Sequence, residues 1–160
     1  MREGCASGAF DIPAGSIARP SPTRTHVPTV RPDAEIVYDA ATRRRVATFT
    51  GTLTDEELFG AYGALLEMPD YDYGADDLVD FRTVTRMDVT SEGLRRLMAL
   101  FAEADELGNR TRLAIIAPRD VTYGVARMYQ LMRGDDVPEE IAVFRDYDEG
   151  VRWLDRKDAP

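Results

Sequence analysis

Apolar residues recur along this chain at spacings typical of strands and helices in alternation. Two short runs, residues 36–38 and 46–50, flank a polar segment and predict an antiparallel hairpin whose second strand ends at Gly51. Apolar residues three and four apart then predict a helix that begins after Thr54. Thr54 and Glu57 have the spacing of a capping box, which marks the start of that helix.

Residues 78–94 turn from strand to helix. The apolar run 78–81 predicts a buried strand, and a polar loop over residues 82–89 follows it. Thr90 or Ser91 would cap the next helix, whose buried face carries Leu94, Leu97, Met98 and Phe101. The free N–H groups and the positive dipole end make this helix start the chain's best candidate for holding an anion or a phosphate.

The second half of the chain adds two strands and two helices. The apolar run 112–117 predicts a strand covered on both faces, and residues 140–144 predict the last strand. A helix over residues 120–133 lies between them, and a final helix follows Asp146. The buried stripe of the helix over 120–133 is predicted to hold Val121, Val125, Met128, Tyr129 and Met132. The order β-β-α-β-α-β-α-β-α predicts an α/β fold: one domain with a mixed, five-stranded sheet and four helices on its faces.

Composition divides the chain into a leader and one domain. Residues 1–33 hold five of the nine prolines, so we predict a disordered leader, followed by a single domain over residues 34–158. The formal net charge is −9. The leader carries four arginines against three acidic residues, a balance of +1, which leaves −10 on the rest. A body that acidic repels nucleic acid and anionic membrane surfaces, so neither is an expected partner.

Rare residue types exclude several chemistries. His26 is the only histidine and Lys157 the only lysine, so no histidine triad, Cys/His zinc site, phosphate-loop lysine or Schiff base is expected. The acidic segment 70–77 lacks the glycine and glutamate positions of a calcium loop. We therefore expect no metal, no cofactor and no catalytic residues. A single cysteine and the lack of a signal peptide or a long apolar run favour a cytoplasmic location without membrane insertion.

Several segments resemble one family. The strand 78–81, the loop that ends at Asp88 and the Gly93-Leu94 pair are similar to the STAS domain of anti-sigma factor antagonists and sulfate transporters. Segments 123–128 and 143–154 resemble, more narrowly, the SpoIIAA-like set of small bacterial proteins. The resemblance spans residues 34–156 and implies the same fold together with a regulatory role.

The resemblance also implies a site in the loop before the second helix. In phospho-regulated antagonists a serine follows the conserved aspartate and takes the phosphate. Asp88 matches that aspartate, but Val89 stands at the serine position. Thr90 and Ser91 would be substitute acceptors, or they only cap the helix. Arg86 belongs to the same candidate regulatory surface.

Two further sets of residues are candidates. Tyr123 and Arg127 lie four apart on the third helix and form either a pocket for an anionic ligand or a plain surface pair. Asp80 is an acid inside an apolar strand and requires a partner, for which Arg82 and Arg112 are the candidates.

These patterns favour a non-enzymatic protein-interaction module, regulatory in role, that lacks the usual phosphoacceptor serine. A protein partner is expected, and so is a homodimer. The alternative is a small-ligand or lipid-binding module of SpoIIAA-like fold. A third hypothesis, the one least favoured, is a carboxylate-based hydrolase that uses Asp80 and Asp88 as acid and base.

Overall fold

The computed structural model describes residues 24–27 and 33–156. Within them, six strands form one sheet in the order β1 to β6. The strands are β1 Arg24–Val27, β2 Ala34–Asp39, β3 Arg44–Thr54, β4 Asp76–Asp88, β5 Thr111–Ile116 and β6 Glu139–Phe144. The helices are α1 Asp55–Leu66, α2 Ser91–Glu106, α3 Asp120–Arg133 and α4 Tyr147–Leu154.

The sheet is mixed, as predicted. β1, β2 and β3 are antiparallel neighbours, and β3 to β6 run parallel. Right-handed crossovers that advance in one direction place their helices on one face of a sheet. Accordingly α1, α2 and α3 share the larger core, whereas α4 covers the other face through Leu154, packed with Leu78, Ala114 and Ile116. The predicted α/β fold class and the order of its elements are confirmed.

β3 and β4 are longer than the pattern predicted. β3 continues through Gly51, which has a φ of +67°, as far as Thr54. β4 continues to Asp88, so the predicted loop over residues 82–89 is wrong: all but Val89 belong to the strand. The two strands shift register near residues 48–52. Such shifts break the period-two alternation that a strand shows in sequence, which is why the extension escaped prediction.

The sheet also gains a strand at its edge. β1 pairs with β2 from Arg24 opposite Asp39 to Val27 opposite Ile36. These four residues lie in the segment predicted to be a disordered leader, so that prediction is wrong for residues 24–27. They raise the strand count from five to six. An edge strand pairs through its backbone N–H and C=O groups, which every residue except proline carries, so amino-acid composition does not predict where such pairing occurs. The remainder of the predicted leader that precedes Asp33 lies outside the described residues.

The helix starts follow the predicted caps. Thr54 and Glu57 form both hydrogen bonds of a capping box at α1. Thr90, and not Ser91, is the N-cap of α2, and Asp146 caps α4. Because each cap is a contact within three residues, local sequence is enough to predict it.

α3 begins and ends where predicted, and four residues of its predicted buried stripe pack against the core: Tyr129 is buried, and Val125, Met128 and Met132 are half-buried. The other buried residues of the helix are Thr122, Ala126 and Arg133. Val121, predicted to be buried, is 59% exposed. Arg119 holds the start of the helix, because its guanidinium donates to the backbone carbonyls of Val84 and Thr85 at 2.8 and 2.7 Å. This contact with the unpredicted part of β4 helps to set the helix orientation.

Candidate functional site

The predicted anion position at the start of α2 is filled by the protein itself. The Asp55 carboxylate accepts hydrogen bonds from the backbone N–H of Thr90 at 2.8 Å and from its hydroxyl at 2.6 Å. The Thr90 hydroxyl accepts in turn from the N–H of Gly93 at 3.1 Å. A carboxylate therefore already occupies the place where a helix start would attract a phosphate.

The neighbouring candidate residues divide between surface and core. Arg86 and Asp88 form an exposed ion pair, with Nε 2.7 Å from Oδ2. Ser91 is exposed in the first turn of α2. Val89, which stands where the resemblance implies a phosphoacceptor, is buried in the core. A side chain at that position would not reach a kinase without displacing core packing.

Tyr123 and Arg127 do not form the predicted site. The guanidinium over the Tyr123 ring is that of Arg145, 4.4 Å from the ring centre. Arg127 is exposed and donates a hydrogen bond to the side chain of Gln130. The two candidate residues thus have separate partners.

Asp80 has the arginine partner that the sequence predicted. Its carboxyl group is buried and accepts from Arg82, with Nε 3.0 Å from Oδ1 and Nη2 2.8 Å from Oδ2. The Arg82 guanidinium lies 4.0 Å from the centre of the Tyr147 ring on α4. The other candidate, Arg112, lies 3.7 Å from Glu140 instead. Asp80 therefore links β4 to α4.

A different group of charges gathers where the parallel strands begin. We call it the amino-edge cluster; it consists of Arg45, Asp77, Asp105, Arg133 and Glu139. Arg45 is buried and holds Asp77 with two hydrogen bonds, Nε to Oδ1 at 2.8 Å and Nη2 to Oδ2 at 2.6 Å. Its other donors reach the carbonyls of Asp72 and Ala75. Such a bidentate, fully bonded arginine suits a buried position.

Arg133 holds the rest of the cluster but leaves one donor free. Its Nη1 and Nη2 donate to Asp105 at 2.6 and 2.9 Å, and Nη2 also donates to Glu139 at 3.1 Å. Its Nε is buried without a hydrogen-bond partner. An unsatisfied buried donor costs about 1–3 kcal/mol of stability.

The cluster is electrostatically incomplete. Burial, followed by the charge of Asp77, raises the pKa of Glu139 from 4.5 to about 7. With Glu139 ionised, three carboxylates face two guanidinium groups, and the sum is −1; with Glu139 protonated the charges balance. Burial together with nearby carboxylates also raises the pKa values of Tyr62 and Tyr129. The two phenols therefore stay neutral beside the cluster.

A cavity of about 80 Å³ runs from this cluster between the sheet and helices α1 to α3. Its walls are mostly apolar and include Leu58, Val79, Phe81, Leu97, Phe101, Leu113, Ile115 and Val125. All five residues of the amino-edge cluster line it, together with Tyr62, Tyr71, Tyr73 and Tyr129. An apolar space with a few polar groups at one end is the usual form of a small-molecule site.

A shallower polar cleft of about 510 Å³ adjoins the cavity. It is lined by residues of both charges, among them Arg43, Arg110, Arg112, Asp76 and Glu140. Thr111 and Pro138 line both the cleft and the cavity. The two spaces therefore share part of their walls at the amino edge of the sheet.

The sequence predictions missed the amino-edge cluster. A signal was present on the helices, because Asp105 follows Phe101 by four residues and Arg133 follows Tyr129 by four. A charged residue that continues an apolar stripe is placed on the buried face and must find a partner there. Asp105 and Arg133 pair with each other across the two helices, and Glu139 of β6 also pairs with Arg133, which no spacing within one helix reveals.

Fold and site together define a small α/β protein with a mixed sheet, an internal cavity and a buried ion cluster at one edge. No protein-family model and no curated protein matches the chain. Among solved structures, it is similar to an uncharacterized protein of the DUF3478 family with a SpoIIAA-like fold from Shewanella loihica PV-4. The identity is 15% and the TM-score 0.46, over 86% of this chain and 99% of that one.

Two further findings concern the described residues. No group of three or more His, Cys, Asp or Glu side chains among them is placed to hold a metal ion. None of the four helices has the length and apolar character needed to cross a membrane.

Proposed function

We propose that the chain is a non-enzymatic protein-interaction module whose contact surface is the exposed face of α3. The proposal is based on an apolar stripe on that face. Val121 is 59% exposed and Leu131 71% exposed, and between them at helical spacing lie the exposed Gly124 and Met128, which is half-buried and also packs against the larger core. Large apolar side chains in a row at the surface are typical of interaction sites.

The occupant that we propose for this stripe is a second copy of the chain. The four positions are symmetric about residue 126, so an antiparallel α3 from another copy would set Val121 against Leu131 and Gly124 against Met128. A Cβ placed on Gly124 would meet nothing within 4 Å, which leaves room for the partner's methionine. Self-complementary surfaces of this kind form two-fold dimers.

Regulation by phosphate at Thr90 is not part of the proposal. A phosphate there would break the hydrogen bond that the hydroxyl donates to Asp55, and would lie beside the charges of Asp55 and Asp88. The regulatory role that the resemblance implies would then operate through binding alone.

The module is proposed to be non-enzymatic because its candidate acids lie apart. Asp80 and Asp88 are eight residues apart on one strand, which corresponds to about 26 Å. Each pairs with an arginine two residues away. A hydrolase that used both on one substrate would need them much closer, within roughly 10 Å.

Analytical ultracentrifugation over a wide concentration range tests the proposal. We expect the wild-type chain to form a dimer, and the double variant Val121→Glu, Leu131→Glu to be monomeric with an unchanged far-UV circular dichroism spectrum. Leu107→Glu is the matched control, since Leu107 is 58% exposed but lies outside α3; this variant should remain dimeric. A wild-type monomer at every concentration, or a dimer that survives the double substitution, would contradict the proposal.

A second candidate function is small-ligand binding, which the cavity favours. The cavity of about 80 Å³ has roughly half the ~150 Å³ of an engineered cavity that binds benzene, so it has room for only a few heavy atoms. That is enough for a small molecule and too little for the tail of a membrane lipid.

A further inference from the structure

We propose that residues 134–138 form a strap between the cavity and the polar cleft, closed while Glu139 is protonated and released when the carboxyl group of Glu139 ionises. The strap joins Arg133, the last residue of α3, to Glu139, the first residue of β6. Its opening would connect the two spaces, and it depends on neither candidate function.

The strap forms part of the wall that the two spaces share. Pro138 lines both of them, and Val137 lines the cleft. Residues 134–138 belong to neither a helix nor a strand, and Asp135 and Asp136 are exposed. A segment of this kind opens locally at a smaller cost in free energy than the packed elements around it. Movement of the strap would therefore widen the cavity toward the cleft.

Arg133 ties the two ends of the strap to each other. Its Nη2 donates to the Glu139 carboxyl at 3.1 Å, across the six positions that separate the two residues. The same guanidinium donates to Asp105 on α2 at 2.6 and 2.9 Å, so it stays with the helices. Glu139 begins β6, the outermost strand of the sheet, and the end of an outer strand frays at little cost. The Glu139 end of the strap is therefore the one that opens.

The hydrogen bonds of the amino-edge cluster place its proton on Glu139. Asp77 accepts two hydrogen bonds from Arg45, and Asp105 accepts two from Arg133. Within the described part of the chain, the Glu139 carboxyl accepts one, from a nitrogen that also donates to Asp105. Charge-assisted hydrogen bonds favour the ionised form of a buried carboxyl, so the carboxyl with the fewest takes the proton first.

The surroundings of Glu139 favour its protonated form while the strap is closed. The charged and titratable groups near it are Arg45 on β3, Asp77 on β4, Asp105 on α2, Arg133 and Tyr129 on α3, Tyr62 on α1 and Tyr71 before β4. The three phenols are neutral, because burial raises their pKa values. Burial of the Glu139 carboxyl, followed by the charge of Asp77, raises its pKa to about 7, and the charge and hydrogen bond of Arg133 do not cancel this shift.

Release of the strap lets the ionised carboxylate reach water. With Glu139 ionised and buried, three carboxylates face two guanidinium groups, and the cluster carries a charge of −1. In the open form the Glu139 pKa returns toward its ordinary value of 4.5, so a rising pH favours opening between 4.5 and about 7. The equilibrium constant for opening would rise by up to about 300-fold over this window, which is ten raised to the difference between the two pKa values.

Hydrogen exchange of the full chain, followed by amide NMR, measures the opening. The pairing of β6 with β5 begins at Glu139 opposite Thr111, so the amides of residues 139–141 that bond to β5 are protected while the strap is closed. Exchange rates corrected for the intrinsic effect of pH give the opening constant. We expect the constant for these amides to rise by about tenfold or more between pH 5 and pH 7.5. It should also exceed the constant for global unfolding, which urea titrations give at each pH.

Two substitutions separate the Glu139 carboxyl from the other acids. Glu139→Gln imitates the protonated form and cannot ionise, so its opening constant should stay at the low-pH value throughout. Glu140→Gln removes the exposed neighbouring carboxyl and should keep the rise. The amide spectra of both variants verify that each is folded.

Three results would overturn the strap. They are an opening constant that does not change with pH in the unsubstituted chain, a rise that persists in Glu139→Gln, and an opening constant at residues 139–141 equal to that of global unfolding at every pH. The first and the third are measured on the unsubstituted chain, so they decide the matter even if Glu139→Gln fails to fold.

Discussion

Gly93 is the residue whose missing side chain lets α1 and α2 begin beside each other. A Cβ atom built there would lie 1.9 Å from Oδ1 and 2.1 Å from Cγ of Asp55. That carboxylate is held in place by two hydrogen bonds from Thr90. The contact between the two helix starts therefore depends on glycine at this position.

We predict that Gly93→Ala lowers the free energy of unfolding by about 1–3 kcal/mol, because the added carbon forces Asp55 away from Thr90. Urea unfolding measures the change. Gly63→Ala is the matched control: it lies in α1, where a Cβ would meet nothing within 4 Å. It should stabilise the chain by about 0.5–1 kcal/mol through backbone entropy. Equal stability of the two variants would show that the helix starts do not pack this way.

Glu139 makes stability depend on pH. Burial, followed by the charges of Asp77 and Asp105, raises the pKa of its carboxyl from 4.5 to about 7, and the hydrogen bond and charge of Arg133 oppose this shift. Between those values the native state holds a proton that the unfolded chain has released. The contribution is therefore complete below about pH 4.5 and is lost as the pH rises to about 7, with an upper limit on the order of 3 kcal/mol.

Glu139→Gln should remove this dependence. We expect the difference in unfolding free energy, wild type minus variant, to fall steadily as the pH is raised through the window. Urea titrations at several pH values measure it. Glu140→Gln, a change at the exposed neighbouring carboxyl, should keep the wild-type slope. Parallel curves for wild type and Glu139→Gln would refute the raised pKa.

At the scale of single elements, the length of β4 is the main departure from the sequence predictions. The strand pairs with β3 as far as Thr54 opposite Asp88, and Val84 is 1% exposed. Thr85 beside it is exposed. A buried and an exposed side chain at adjacent positions are typical of a strand and not of a polar loop.

We predict that Val84→Ala costs about 2 kcal/mol of stability, since two buried methyl groups are lost, whereas Thr85→Ala changes stability by less than about 0.5 kcal/mol. Chemical denaturation measures both. If the two substitutions have equally small effects, residues 82–88 do not form the strand described. Hydrogen exchange at the backbone amides of this segment gives an independent check.

The elements also show why some predictions succeeded and others did not. Caps at Thr54, Thr90 and Asp146 are contacts within three residues, so they could be read from spacing. The exposure of Val121 at the start of α3 could not be read in this way, because the contact that Arg119 makes there is with carbonyls 34 and 35 positions away in the chain. Helical periodicity predicts that a face is buried, but apolar residues on both sides of α3 left the choice to tertiary contacts.

At the scale of the whole molecule, the sheet has two edges, and β1 protects one of them. β1 pairs with β2 over four residues along this edge. Exposed edges of sheets are sites of association between chains. The role of β1 is therefore to cover β2.

We predict that a chain starting at residue 30 keeps a cooperative unfolding transition but self-associates more strongly than the full chain, because β2 becomes an open edge. Light scattering coupled to size-exclusion chromatography measures this. Val37→Lys in the shortened chain should reduce the association, since a charge on an edge strand opposes pairing. A shortened chain that associates no more than the full chain would argue against a protective role.

Apart from β1, local sequence was enough to specify which segments become strands or helices, their order and most of their caps, because spacing and short-range hydrogen bonds carry that information. The folded arrangement alone settles the edge strand β1, the end of β4, the exposure of Val121 on α3, the carboxylate at the start of α2 and the amino-edge cluster. Thr90 and Asp55 are 35 positions apart, Arg45 and Asp77 are 32, and Arg133 and Asp105 are 28. Contacts over such separations exist only after the strands have paired, so no local pattern in the chain records them.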